Sequence, residues 1–392
     1  MTTSQTLNGK QPTVTMWQTA FDECLNKMPV TNVVSKQDLP IFAVIITANI
    51  NVSDDVNDDL QQPLTQNIDN WITAWANQQA QWDLLNVNSS DAAQAASACF
   101  VSDDKNNVIE NDRLTPIDTC KYLLYPSSVD AIKHLSYPEK ITAAAHVIDE
   151  QITAMLHDKL GNQFDCHILL ASKLTKPHKL AFFDMDSTLI EQEVIVELAK
   201  ATNIGDKVNE ITESAMRGEI DFNESFVQRV ALLKGTSTEV LDEINSSLTL
   251  SAGAKTTLAT LKAMGFYTVL VSGGFTYFAK HIAKKLNMDE FHANELDTLD
   301  GMVTGDVVLP IVNGEMKAAI VQKIAQQKGI ALSEVICIGD GANDLAMMAV
   351  ADIGLAYRAK PIVQAKADLA INCTGLEGVL YALGVNALSQ KK

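Results

Sequence analysis

KLAFFDMDSTLIEQE, Lys179 to Glu193, is the stretch on which the reading of the chain turns. An apolar run, Leu180 to Phe183, leads into two aspartates, Asp184 and Asp186, and then into Ser187 and Thr188. Side chains two apart on a strand face the same way, so both carboxylates are expected on one side of the strand's carboxyl end. Working outward, the same grammar repeats. FYTVLVSGG (266–274), VICIGDG (335–341) and ADIGLAY (351–357) are short apolar runs closed by turns. Helical stretches such as AKTTLATLKAMG, YFAKHIAKKLN and MKAAIVQKIAQQKG lie between them. Strands alternating with helices predict a Rossmann-like α/β fold, a parallel sheet flanked by helices, with ligands outside the carboxyl ends of the strands. Between the first two strands, about residues 191–255, sits an almost wholly helical insertion, longer than one crossover needs and expected to cap the site.

The strand ends hold the chemistry. The second ends in Ser272, Gly273 and Gly274; the third ends in GDGAND, with Asp340, Asn343 and Asp344. Three acidic residues from distant parts of the chain would repel one another unless a cation joined them. Oxygen donors of this kind suit Mg²⁺, which also bridges to phosphate. The net charge of −18 repels nucleic acid, anionic membranes and phosphorylated small molecules alike. A site for such an anion must therefore carry its own positive charge.

The remaining composition narrows the class. A chain of 392 residues suggests two or three domains, and 47% hydrophobic content is that of a globular protein. Six scattered cysteines without CxxC spacing argue against a disulfide framework or a zinc site. The N-terminal MTTSQTLNGKQPTVT lacks an apolar signal core, and IFAVIITANI has about half the length needed to cross a bilayer. A cytoplasmic protein with no membrane or nucleic-acid partner is expected.

Residues 1–175 read as an α+β domain. TMWQTAFDECLNKM is helical, LPIFAVIITANI is a buried strand, and PLTQNIDNWITAWANQQAQWDLL reads as helical throughout. DAIKHLSYPEKITAAAHVIDEQITAMLHDKLG gives two helices divided at Pro138 and closed by Gly161; FDCHILLAS is a strand. The acidic SDDVNDD reads as a solvated loop, and KLTKPHK as the linker to residues 176–392.

FFDMDSTLI, VSGG, Lys317 in NGEMKAA and GDGAND together resemble the four motifs of the haloacid dehalogenase-like phosphohydrolases. The resemblance covers Lys179 to about Leu383. Within that family, EQEVIVELAK, AMRGEIDF and FVQRVALLKG resemble the substrate-recognition segments of the branch that hydrolyses O-phospho-L-serine at the end of serine biosynthesis. The resemblance implies Asp184 as nucleophile, forming an aspartyl-phosphate, and Asp186 as general acid and base. A carboxylate is ionised at neutral pH and needs no activating base. It further implies Mg²⁺ held by Asp184, the Asp186 carbonyl and Asp340, with Lys317 beside phosphate and nucleophile and Asp344 orienting Lys317. Ser272 and the Gly273 amide would bind phosphate; Glu193 the substrate ammonium; Arg229 its carboxylate. Met216 and Phe222 would wall the pocket, with Gly274 and Asn343 lining it. A phosphotransferase acting on another alcohol such as homoserine, or an inactive regulatory scaffold, are the alternatives. Longer members of that branch carry ACT-type sensing modules where residues 1–175 stand, which implies a homodimer or serine feedback. The glycine-proline turn of such a module is absent here.

Overall fold

The computed structural model describes residues 12–28, 40–49, 63–87, 112–114, 117–135 and 137–385. The SDDVNDD loop lies outside the described residues. The chain divides into two compact units: one runs to Pro177 and is joined by the segment from Ile371, and the other runs from His178 to Ala370.

The first unit is built on an antiparallel sheet of order β2-β3-β1-β4, with β1 Phe42–Asn49, β2 Trp82–Asn86, β3 Ile117–Pro126 and β4 Phe164–Leu170. Helices α1 (Pro12–Lys27), α2 (Leu64–Ala76) and α3 (Pro138–Leu160) accompany it. The β1-α2-β2-β3-α3-β4 succession is a split βαβ arrangement. Alternate residues of β1, Phe42, Val44, Ile46 and Ala48, pack with Ile68, Ile72 and Trp75 of α2 and with Ile148, Ile152 and Leu156 of α3. Gly161 closes α3 at φ 58, as its C-cap position predicts. The segment from Pro63 is not helical throughout: α2 stops at Ala76, and WDLLN forms the edge strand β2. From Ile371 the chain clasps this unit, because Asp165 accepts the main-chain N–H groups of Asn372 and Cys373, both at 2.9 Å. The C-terminal helix Gly378–Ala382 then packs on β1.

The second unit is a sheet of order β12-β11-β10-β5-β6-β7. Its strands are β5 Leu180–Phe183, β6 Tyr267–Phe275, β7 Glu290–Asn294, β10 Val335–Gly339, β11 Ile353–Tyr357 and β12 Leu369–Ile371. Pairing is parallel from β11 through β10, β5 and β6 to β7. All four residues of β5 are buried, as both-face coverage of a parallel sheet requires. The chain leaves β5 toward β6 and later returns to β10 on its other side. The resulting crevice at the carboxyl ends of β5 and β10 is the place where such sheets bind ligands. Helices α4 (Val194–Ala201), α5 (Gly205–Met216), α6 (Phe222–Leu232) and α7 (Thr238–Ser247) fill the expected insertion. The helices α8 (Ala254–Ala263), α9 (Thr276–Lys285), α10 (Gly314–Lys328) and α11 (Leu345–Val350) alternate with the strands. A hairpin of β8 (Leu296–Leu299) and β9 (Met302–Val307), unanticipated in the sequence reading, turns at Asp300–Gly301 and hydrogen-bonds to Gly235, Thr236 and Thr238. Among the described residues no helix is long and apolar enough to cross a membrane.

Candidate active site

β5 ends at Phe183, one residue earlier than the alternation argument needs. Asp184 and Asp186 therefore lie in the turn beyond the strand, and the turn rather than the pleat brings them to one side. Asp184 N–H still donates to Ile338 O at 2.9 Å, which anchors the turn to β10. The Met185 carbonyl accepts from Thr188, Leu189 and Ile190 and winds the chain tightly. Thr188, fully buried, reaches Asp340 Oδ1 at 3.4 Å.

Lys317 stands in the first turn of α10, where the helix dipole opposes a cation. Its Nζ donates to Asp184 Oδ1 and to Asp344 Oδ1, each at 2.7 Å, and the residue has no exposure. Burial alone would depress this ammonium; Asp184 and Asp344 outweigh it and hold its pKa above the ordinary lysine value. Asp344 also receives Gly341 N–H on Oδ2 at 3.0 Å. Gly339 allows this crossing, since a Cβ there would sit 2.4 Å from the Asp344 carboxyl.

The carboxylates carry more negative charge than Lys317 offsets. Burial, then Asp344, raises Asp184 well above the carboxylate range. Burial and then Asp344 lift Asp340 to about 7; burial and then Glu193 lift Asp186 to about 7. One oxygen each of Asp184, Asp340 and Asp344 lies within 4.8 Å of the others, so the cluster could hold a metal ion. An all-oxygen donor set with surplus negative charge fits a hard divalent cation.

The second strand end adds hydrogen-bond donors. Gly274 N–H donates to Ser272 Oγ at 2.9 Å, which leaves the hydroxyl hydrogen available. A Cβ at Gly274 would sit 3.0 Å from Asp186 Oδ2, so the main chain approaches the acid more closely than other residues permit. Buried Asn294 donates to Gly273 O at 2.8 Å and accepts from Val312 N–H at 2.7 Å. It thus ties this loop to the one that leads into α10.

A cavity of about 160 Å³ joins these parts. Asp184, Asp186, Gly273, Gly274, Asp340 and Asn343 line one side, while Glu193, Phe222 and Arg229 come from the helical insertion. Arg229 Nε donates to Ser225 O at 3.3 Å, and burial lowers its pKa. The Met216 side chain lies outside the described residues.

The haloacid dehalogenase-like hydrolase family matches residues 178–352. A probable phosphoserine phosphatase of Schizosaccharomyces pombe is 43% identical over 230 residues, 58% of this chain and 77% of its own. The chain belongs to the haloacid dehalogenase-like hydrolases. The unliganded crystal structure of a probable phosphoserine phosphatase from Vibrio cholerae matches with TM-score 0.58 and 27% identity over 93% of each chain. A phospho-aspartyl intermediate analogue of phosphoserine phosphatase matches with TM-score 0.50 and 37% identity, covering 54% of this chain and 100% of that one. The chain spans from about half to nearly all of the length of its curated relatives, 51% to 93%. This haloacid dehalogenase-like hydrolase also has pocket-lining residues that the sequence reading passed over: Ile195, Phe226, Val230 and Phe275. Phe226 was findable, being one turn after Phe222 and three residues before Arg229 on the same helix. Asn294 had no such signal, because only the folded loop positions reveal its two partners.

Proposed function

We propose that the chain hydrolyses O-phospho-L-serine to L-serine and phosphate. One observation carries the reading: a single small cavity sets Asp184 and Asp186 against Glu193 and Arg229. Asp184, held by Lys317 at Oδ1 and kept ionised by the positive charge that Lys317 supplies and a bound cation would add, attacks phosphorus through its other oxygen, and the ester P–O bond breaks. Asp186, whose pKa of about 7 suits proton exchange at neutral pH, gives a proton to the leaving serine oxygen. It then takes a proton from the water that splits the aspartyl-phosphate. The similarity to a phospho-aspartyl intermediate analogue supports such an intermediate.

Ser272 Oγ–H and Gly273 N–H donate to the phosphoryl oxygens. Asn294 fixes the Gly273 carbonyl, and Asp344 keeps Lys317 in place. Mg²⁺, held by Asp184, the Asp186 carbonyl and Asp340, would supply positive charge against the phosphoryl oxygens when bound. Glu193 pairs with the substrate ammonium and Arg229 with its carboxylate. Phe222 closes an apolar wall, a role assigned also to Met216.

Phosphate release from O-phospho-L-serine and from a panel of phosphomonoesters, with and without EDTA, tests the reading. Hydrolysis selective for phosphoserine and lost on chelation is the expected result, as is complete loss in Asp184→Asn. Equal turnover by wild type and Asp184→Asn would remove the assigned nucleophile. Added homoserine separates hydrolysis from transfer: a phosphorylated homoserine product would identify a phosphotransferase.

A further inference from the structure

Ser187, the residue after Asp186, is held at φ 54, in the left-handed region that side-chain-bearing residues rarely adopt. In this conformation its N–H closes on Gln192 O at 3.3 Å, and its Oγ donates to Glu193 Oε1 at 2.7 Å. Glu193 occupies the N-cap position of α4, yet its side chain makes no capping bond there. The first helical amide, Val194 N–H, goes instead to Asp186 Oδ1 at 3.0 Å. Two consecutive turn residues thus divide the helix start between them. Asp186 takes the first helical amide, and Ser187 takes the Glu193 carboxylate.

The consequence concerns Glu193. It lies exposed on the cavity wall with three rotatable bonds, and an unrestrained glutamate of that kind loses rotamer freedom whenever it binds. A lysine or arginine partner would fix it but would also cancel its charge. A serine hydroxyl fixes one oxygen while leaving the full negative charge for a cation. Arg229, on the same cavity, turns its Nε to Ser225 O.

We propose that Ser187 is a positioning residue for amine recognition, pre-setting Glu193 so that the ammonium of the substrate meets an already oriented carboxylate. The inference rests on the amine-bearing substrate proposed above. It is not a catalytic residue, because it acts through Glu193.

The test compares O-phospho-L-serine with its amine-free analogue, 3-phosphooxypropanoate, in the full-length enzyme. The variants are Ser187→Ala, Ser187→Gly, Glu193→Gln and Ser187→Gly/Glu193→Gln. Glycine suits φ 54 without strain, so Ser187→Gly isolates loss of the hydroxyl from any damage to the turn. In both single serine variants KM for phosphoserine should rise about tenfold with kcat nearly unchanged, the cost of losing one charge-assisted hydrogen bond. KM for the analogue should not move, and adding Ser187→Gly to Glu193→Gln should have no further effect. A rise for both substrates alike, or for neither, overturns the assignment of Ser187 while leaving the phosphatase reading intact. If Glu193→Gln itself leaves KM for phosphoserine unchanged, the amine-recognition reading fails and this inference fails with it.

Discussion

Lys317 is a complete lysine side chain with no exposure, and only its two carboxylate partners make that tolerable. Removing one member of a buried ion pair typically costs about 3–5 kcal/mol, because the remaining charge is left uncompensated. Lys317→Met should therefore unfold at markedly lower urea concentration at neutral pH and show no phosphate release. Unchanged urea unfolding would mean that the carboxylates relax without it. Gly274→Ala should behave differently. The added methyl would meet the Asp186 carboxylate 3.0 Å away, so kcat should fall while the unfolding midpoint stays close to wild type. At this scale much of the site was legible. Asp184, Asp186, Lys317, Asp340 and Asp344 stand at strand ends or in a first helical turn, and strand ends can be read from apolar runs. The reason for the paired aspartates was not legible, because the turn that brings them together depends on the three hydrogen bonds to the Met185 carbonyl.

Elements were legible where periodicity was unbroken. α3, opened by Pro138 and closed by Gly161, runs between the signals that the sequence announces. β3, IDTCKYLLYP, was missed because Lys121, which reads as a solvent-facing residue, is buried in the sheet. β2 was absorbed into the preceding helix, since no glycine or proline separates Trp82 from it. The helix α6 carries Phe222, Phe226 and Arg229 and opens with a reciprocal pair: Asp221 accepts from Glu224 N–H at 2.8 Å, and Glu224 accepts from Asp221 N–H at 3.1 Å. Asp221→Ala should loosen that start by about 1 kcal/mol, raising KM for substrate more than it lowers kcat. A changed kcat with KM constant would count against that. His167 on β4 makes a second element-scale prediction. It is 1% exposed, its Nδ1 has no hydrogen-bond partner, and burial lowers its pKa from 6.5 to about 4. The folded state keeps the ring neutral while the unfolded chain protonates below about 6.5. Stability is then fully present above pH 6.5 and is lost as pH falls toward 4, by at most about 3 kcal/mol. All four tryptophans, Trp17, Trp71, Trp75 and Trp82, belong to this unit, so their fluorescence reports its unfolding. Urea midpoints at pH 7.5 and 5 should differ in wild type and converge in His167→Gln.

At the scale of the whole molecule, the parallel sheet was the most legible feature. Alternation of strand and helix implied the parallel sheet, and the sheet implied the edge on which its chemistry gathers. The return of the last residues was invisible to any reading of motifs, because Ile371 to Val385 resembles one more apolar strand and helix of the same alternation. Within that segment Ile371, Leu376, Val379, Leu380 and Leu383 are buried. Gly384 lies so close to Trp17 that a Cβ would come within 2.4 Å of its indole nitrogen. A designer who excised the catalytic body by cutting only at the linker, keeping 178–392, would carry away a greasy ribbon stripped of its seat. Light scattering should find that fragment polydisperse and a 178–370 version well behaved. The seam of this protein runs through two places in the chain, and scissors applied at one of them leave a thread hanging.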